Sequence, residues 1–311
     1  MKKVVALVTL AAMLFLCGCE KYSDYKEIEN RLFISTLGID ETASGITIYA
    51  ESAVSKRTGD GYEISVLSGS GETVPEAFDG IKNSTPLSVD LSHLAVIILG
   101  KNQENTEKKL AEYLISKPED MLSCYLVFSD SAKDLISCGK DTPLGYSLAS
   151  ALKKNDYAGD KPTPSTLLDI MNSTTAFSLP YFKADGGNFS YAGAVYYNGT
   201  KRLAIKDTTD ARLITLLSGD FLRGQITLSG TTFDVKNSNL SQKITDTILD
   251  ITLSLDLAGN PDPKILENEL LKVLNEWQEI YKTNIFRFCD EGKPLTNAEF
   301  CEKTIRLTLD F

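Results

Sequence analysis

Apolar and polar positions in this chain change period several times, and each change marks an element. Residues 32–39 (LFISTLGI), 46–54 (ITIYAESAV) and 62–67 (YEISVL) are rich in β-branched and aromatic residues and are separated by turn-formers such as ETASG. They predict a three-stranded antiparallel meander. A Gly69-Ser70-Gly71 turn then leads into a helix over 74–83, where Val74, Ala77, Phe78 and Ile81 recur at helical spacing. The near-continuous apolar run 91–100 predicts a strand buried on both faces. A helix over 105–116 follows, then a strand over 121–128, a helix over 132–137 and another over 144–152. Strand and helix in alternation predict a mixed α/β sheet for an N-terminal domain, residues 31–153.

Residues 153–165 (KKNDYAGDKPTPS) are polar with two prolines, as expected of an exposed connection. With a short helix at 166–171 and a polar stretch to 187, residues 154–187 are expected to join two domains. The second, 188–311, opens with a strand over 189–197 turned by Asn198-Gly199. A helix over 209–217, a strand over 222–229 and a long alternating strand over 247–257 come next. Pro263 opens an amphipathic helix over 263–285, whose stripe runs from Ile265 through Trp277 to Ile280. A strand over 304–311 is last. The fold class is therefore α+β, or mixed α/β: two main domains of mixed sheets flanked by helices.

The first residues belong to neither domain. Lys2 and Lys3 precede an uncharged apolar run, 4–16, that ends in Leu16-Cys17-Gly18-Cys19. A charged start, a short apolar segment and a small residue before the cut mark a secretory signal peptide. The run falls short of the roughly 20 residues that span a bilayer. A cysteine right after the small residue makes the signal a lipoprotein one. Residues 1–18 are then the signal peptide, Cys19 carries a diacylglyceryl group and further acyl chains such as palmitate, and 19–30 is a polar tether. At about 0.8 kcal/mol per buried methylene, two or more chains anchor stably where one does not. The body is held at the extracytoplasmic face of a membrane.

Charge and cysteine content narrow the chemistry. The formal charge is −10, and loss of the signal with its two lysines makes the mature chain more acidic still. Such a body is a poor partner for nucleic acid and is repelled by anionic headgroups, so the lipid has to do the tethering. Beyond the lipobox stand Cys124, Cys138, Cys289 and Cys301, none in a CxxC pair, and the only histidine is His93. A metal site is not expected. Export permits a disulfide, and Cys289 with Cys301 is the first pair to test; four cysteines allow three connectivities, or none, with free buried thiols as the alternative. HExxH, GxSxG and P-loop motifs do not occur, and Gly69-x-Gly71 lacks the third glycine of a dinucleotide fingerprint. A histidine nucleophile system would have to use His93, inside a run where a strand would bury it. No catalytic residue and no cofactor apart from the Cys19 lipid are expected. On local grounds Gly38 and Asp40 shape a strand end and turn, His93 is a hydrogen-bonded core residue, and Trp277 is a core anchor.

Several segments, in order, resemble one family. They are Cys19 with its acidic tether, the stretch to Leu37-Gly38-Ile39-Asp40, Gly69-Ser70-Gly71 entering a helix with Glu76-Ala77, His93 leading to Gly100, Gly193-Ala194-Val195, and the helix around Trp277 before a final strand. The chain resembles the spore-germination lipoproteins of the Ger(x)C type, the C subunits of nutrient germinant receptors. The resemblance implies a non-catalytic subunit anchored by lipid at the inner membrane of the spore. It implies assembly with a membrane A subunit and a permease-like B subunit, the complex responding to a small-molecule germinant. The segment between the domains is shorter than that pattern has, and the two cysteines near 290–300 are not part of it. A different class remains: an extracytoplasmic solute-binding lipoprotein of an uptake system. That would need two similar lobes closing on a cleft, whereas the pattern above gives unlike halves.

Overall fold

Three antiparallel strands come first among the described residues: β1 (Arg31–Thr42), β2 (Gly45–Ser55) and β3 (Tyr62–Gly71), with Leu37 opposite Ala50 and Ala50 opposite Leu67. The computed structural model describes residues 30–43, 45–55, 62–101, 106–116, 123–139, 142–154, 161–173, 175–221, 223–259 and 261–311. The signal peptide, Cys19 and the tether up to residue 29 lie outside the described residues.

Helix α1 (Val74–Asn83) starts at Thr73, whose hydroxyl accepts from the Glu76 amide at 3.4 Å. It lies against β2 and β3 through the four apolar residues that the spacing picks out. There follow β4 (Ser88–Asp90), β5 (Val96–Leu99), α2 (Thr106–Ile115), β6 (Tyr125–Phe128), α3 (Ala132–Ile136), α4 (Leu144–Lys154), α5 (Pro164–Ser173), β7 (Ala176–Asp185), β8 (Asn188–Asn198) and β9 (Lys201–Lys206). Among the described residues these strands form a nine-stranded sheet, in the order β3-β2-β1-β5-β6-β7-β8-β9 with β4 beside β1. Strands β1, β5, β6 and β7 run parallel, and the rest of the path is antiparallel.

Helices cover both faces. On one, α1, α2 and α5 pack over Leu32, Ile34, Leu37 and Ile39; on the other, α3 and α4 pack over Val96, Ile98 and Val127. A bulge between Ile34 and Thr36 lets β1 serve both. One extra residue shifts the two-residue period, so Leu37 and Ile39 stay on the face of Leu32 and Ile34 while Gly38 and Asp40 meet α3.

The rest of the chain builds a second sheet: α6 (Thr208–Leu217), β10 (Gly224–Leu228), β11 (Thr231–Ile244), β12 (Ile248–Ala258), α7 (Pro263–Glu276), the short pair β13 (Cys289–Asp290) and β14 (Lys293–Pro294), α8 (Asn297–Glu302) and β15 (Thr304–Asp310). Its strand order is β10-β11-β12-β15, with β15 parallel to β12. Its core takes in Ala194 and Tyr196 of β8 together with α6, α7 and Trp277. Trp277 is fully buried, its ring 5.1 Å from Tyr196 and 4.5 Å from Tyr281.

Several expectations change. The strand expected over 91–100 shortens to β5, because the Asp90 carboxylate accepts from the Ser92 amide at 2.9 Å and the Leu94 amide bonds Leu91 O, making a turn. His93 sits on that turn and is exposed, not buried in a strand. Gly69-Ser70-Gly71 ends β3 instead of forming a turn. Within 154–187, Ala176–Asp185 is a full strand of the large sheet, and β9 follows the Asn198-Gly199 turn where no strand was expected. The last long helix widens into a π-type turn at Trp277–Tyr281 and stops at Lys282, whose φ of 49° is left-handed; Ile280 is therefore 70% exposed and not part of the buried stripe.

Candidate functional site

Carboxylates of β1 and β2 meet the first residues of three helices, Asp40 and Glu41 near the end of β1 and Glu51 opposite Thr36, four positions back from Asp40. Asp40, near the end of β1, accepts from the backbone amides of Ala132 at 2.9 Å and Lys133 at 3.1 Å, the first residues of α3. Glu51 on β2 is fully buried. It accepts from the Leu144 amide at 2.8 Å, the Gly145 amide at 3.4 Å, the Ser35 hydroxyl at 2.8 Å and the Thr36 hydroxyl. The β1 bulge presents both hydroxyls to this one side chain. Glu41 accepts from the Thr106 hydroxyl at the start of α2.

Helix N-termini attract anions because their first amides lack partners and the dipole is positive there. At α3 and α4 the chain's own Asp40 and Glu51 fill that role. The arrangement therefore fixes helices onto the sheet and leaves neither position open to a phosphate.

Beside it, buried Glu107 receives the Tyr197 hydroxyl at 3.4 Å. Burial pushes the Glu107 carboxyl above its usual range, opposed by hydrogen bonding and by the Arg202 guanidinium. Burial likewise holds the Tyr197 phenol well above 10, with Glu107 adding to it. Arg202 lies 5.7 Å over the Phe128 ring, and the Tyr181 hydroxyl donates to Asp130 at 2.5 Å. Tyr197 with Glu107 and Tyr181 with Asp130 are hydrogen-bonded pairs, and none of these groups is a nucleophile set against a base.

The residues singled out by sequence are dispersed. A Cβ at Gly38 would stand 3.0 Å from Ala132 Cβ, and one at Gly69 only 2.1 Å from the Ala77 carbonyl oxygen. Gly71 is as tightly set, 2.4 Å from Glu76 Cβ. Gly69 and Gly71 thus admit the backbone of α1 against β3, and Gly38 admits α3 against β1. His93 hydrogen-bonds Ser92 Oγ at 3.1 Å and packs edge-on against Phe33 at 4.6 Å. Cys289 and Cys301 are free thiols, donating to the carbonyls of Arg287 and Gln278 respectively. Cys124 is buried, and its thiol is pushed up to about 12 by desolvation. Among the described residues no group of three or more His, Cys, Asp or Glu is placed to hold a metal ion, and no helix is long and apolar enough to cross a membrane.

Sequence reasoning assigned no role to Glu51, Glu41 or Glu107. Glu51 did leave a signal, a lone charge in the β-patterned ITIYAESAV; Glu41 and Glu107 lie in ordinary polar surroundings and left none.

Residues 24–184 match the family model described as the spore germination protein N-terminal domain. Among solved structures, the crystal structure of the GerBC protein superposes with a TM-score of 0.52 at 16% identity, covering 88% of this chain and 96% of that one. At that identity the likeness is one of fold. No curated protein matches.

Proposed function

We propose, from the premise that this chain belongs to the Ger(x)C family of spore germination proteins, that it works as the lipid-anchored C subunit of a nutrient germinant receptor. The family is one of membrane-associated, non-catalytic receptor subunits, and this protein is not an enzyme. In the proposal Cys19 carries the lipid, the body faces outward from the spore inner membrane, and protein contacts with a membrane A subunit and a permease-like B subunit couple it to germinant. The observation that carries the reading is the match of residues 24–184 to the germination-protein domain.

Two features support it. The lipobox Leu16-Cys17-Gly18-Cys19 precedes the matched segment, so the lipid supplies a membrane attachment without a spanning helix. The N-termini of α3 and α4 are occupied by internal carboxylates, which suits a rigid body that presents surfaces. The two sheets, of nine and four strands among the described residues, are also unlike the paired lobes a hinged solute binder needs. Fractionation of spores carrying Cys19→Ala tests the proposal: the variant should leave the membrane on a salt wash and germinate weakly with nutrient. Full retention in the membrane, or an unchanged germination response, overturns it.

A further inference from the structure

The outer face of the small sheet carries a hollow of about 250 Å3 lined by Asn237, Asn239, Ser254, Asp256, Asp310 and Phe311. Strand register assembles it. Asn239 stands opposite Ser254, Ser254 opposite Asp310, and Asn237 opposite Asp256, so three strands contribute to one polar patch.

A bulge makes that patch. Val235 pairs with Leu257 and Asn237 with Asp256, so β11 carries one extra residue, Lys236. Before the bulge, Phe233 and Val235 point into the core; after it, Ser238 and Leu240 turn inward while Asn237 and Asn239 are exposed. A strict two-residue alternation continued from Val235 would aim both amides into the core. The inserted residue is thus what brings two carboxamides beside Ser254, Asp256 and Asp310.

The chemistry selects a ligand class. Neither this hollow nor its neighbour of about 460 Å3, which shares Asp256 and Phe311 with it and adds Leu257, Pro261 and Pro263, is lined by a lysine or arginine. An anion has no partner there. Carboxamides, a hydroxyl and carboxylates together donate to and accept from adjacent hydroxyl groups. The Phe311 side chain, 58% exposed, offers a flat apolar plate of the kind that covers the C–H face of a sugar ring. Combined, the two hollows fall within the roughly 300–1,000 Å3 typical of small-molecule sites.

We infer that this hollow binds a neutral pyranose, its hydroxyls on Asn237, Asn239, Ser254, Asp256 and Asp310 and its C–H face on Phe311. The sugar is free or is one unit of a glycan chain; the chemistry is shared. The inference stands apart from subunit assembly, so its failure leaves the family reading intact.

Saturation-transfer NMR on the full chain in detergent tests it, with glucose, galactose and N-acetylglucosamine as free sugars and malto- and chito-oligosaccharides as chains. Transfer should be strongest to ring C–H protons on one face of the sugar. Phe311→Ala should weaken binding about tenfold, the worth of one aromatic contact, whereas Phe311→Trp retains it. Asn239→Ala should weaken binding, and Thr232→Ala, on another strand position of the small sheet, should not. Preference for monosaccharides assigns a free sugar, and preference for oligosaccharides a glycan. Absence of transfer to every sugar, transfer unaffected by Phe311→Ala and Asn239→Ala, or transfer to ethanolamine in place of sugars overturns the site.

Discussion

Replacing Glu51 by alanine should unsettle the large sheet from within. Four donors converge on its carboxylate: two hydroxyls of β1 and the first two amides of α4. The Ser35 hydroxyl already lies 3.2 Å from the Glu51 carbonyl oxygen and can turn to it. The amides of Leu144 and Gly145 are fixed by the helix and have no such recourse. Each buried donor left without a partner costs about 1–3 kcal/mol, so the two helix amides together set a loss of about 2–6 kcal/mol. With roughly 2–4 °C lost per kcal/mol in a domain of this size, Glu51→Ala should melt on the order of 10 °C lower. Glu51→Gln keeps the shape and one acceptor oxygen, so about 1–2 kcal/mol is expected. Circular-dichroism melts with urea midpoints give the stability, and hydrogen exchange at Leu144 and Gly145 locates it. An alanine variant within about 1 kcal/mol of the parent, or a glutamine variant as damaged as alanine, would refute the clamp.

Two further substitutions probe other contacts. Gly69→Ala places a methyl group against the Ala77 carbonyl oxygen and should cost about 1–3 kcal/mol by prising α1 from β3, while exposed Ser70→Ala should shift the urea midpoint little. Lys206 of β9, 2.7 and 2.8 Å from the two Glu276 carboxylate oxygens and 3.5 Å from Asp210, joins the large sheet to α6 and α7. Desolvation lowers its pKa, but Glu276, Tyr281 and Asp210 outweigh it, and the net shift is upward from 10.5. A raised lysine pKa gives stability that is fully present below the unfolded value and is lost as pH rises through the folded one. Lys206→Met should therefore be less stable than the parent by about 1–3 kcal/mol at neutral pH, and urea midpoints should converge above about pH 10.5. A gap that persists in alkali would assign the loss to packing.

Legibility in the sequence followed the physics of burial. Strands β1, β2, β8 and β12 and helix α1 were readable because one face or both of each meets a core, so period and length survive in the residues. Strand β7 was hidden by Pro180, which argues against an inner strand; it is accommodated where β6 and β7 share a single bridge, Phe128 with Tyr181. In β11 the extra residue Lys236 breaks the alternation and a polar outer face conceals the rest. His93 was misplaced because a turn held by Asp90 interrupts an apolar run, and runs do not disclose where hydrogen bonds will cut them. Of the carboxylates that hold helix N-termini, Asp40 was read only as a strand end. Its partner amides lie more than 90 residues away in sequence, a distance that local patterns do not span.

The parallel seam between β12 and β15 sets an order of events. Leu249, Ile251 and Leu253 pair with Ile305, Leu307 and Leu309, and the connection between them passes through α7 and α8. While the chain emerges amino end first, β12 waits with one flank uncovered until residues 304–310 arrive. The nine-stranded sheet has all its strands by residue 206, so it can consolidate before the small sheet closes. A ribosome or translocon that stalls after α7 would release a half-finished protein whose sticky flank invites aggregation, and quality control would meet that species first.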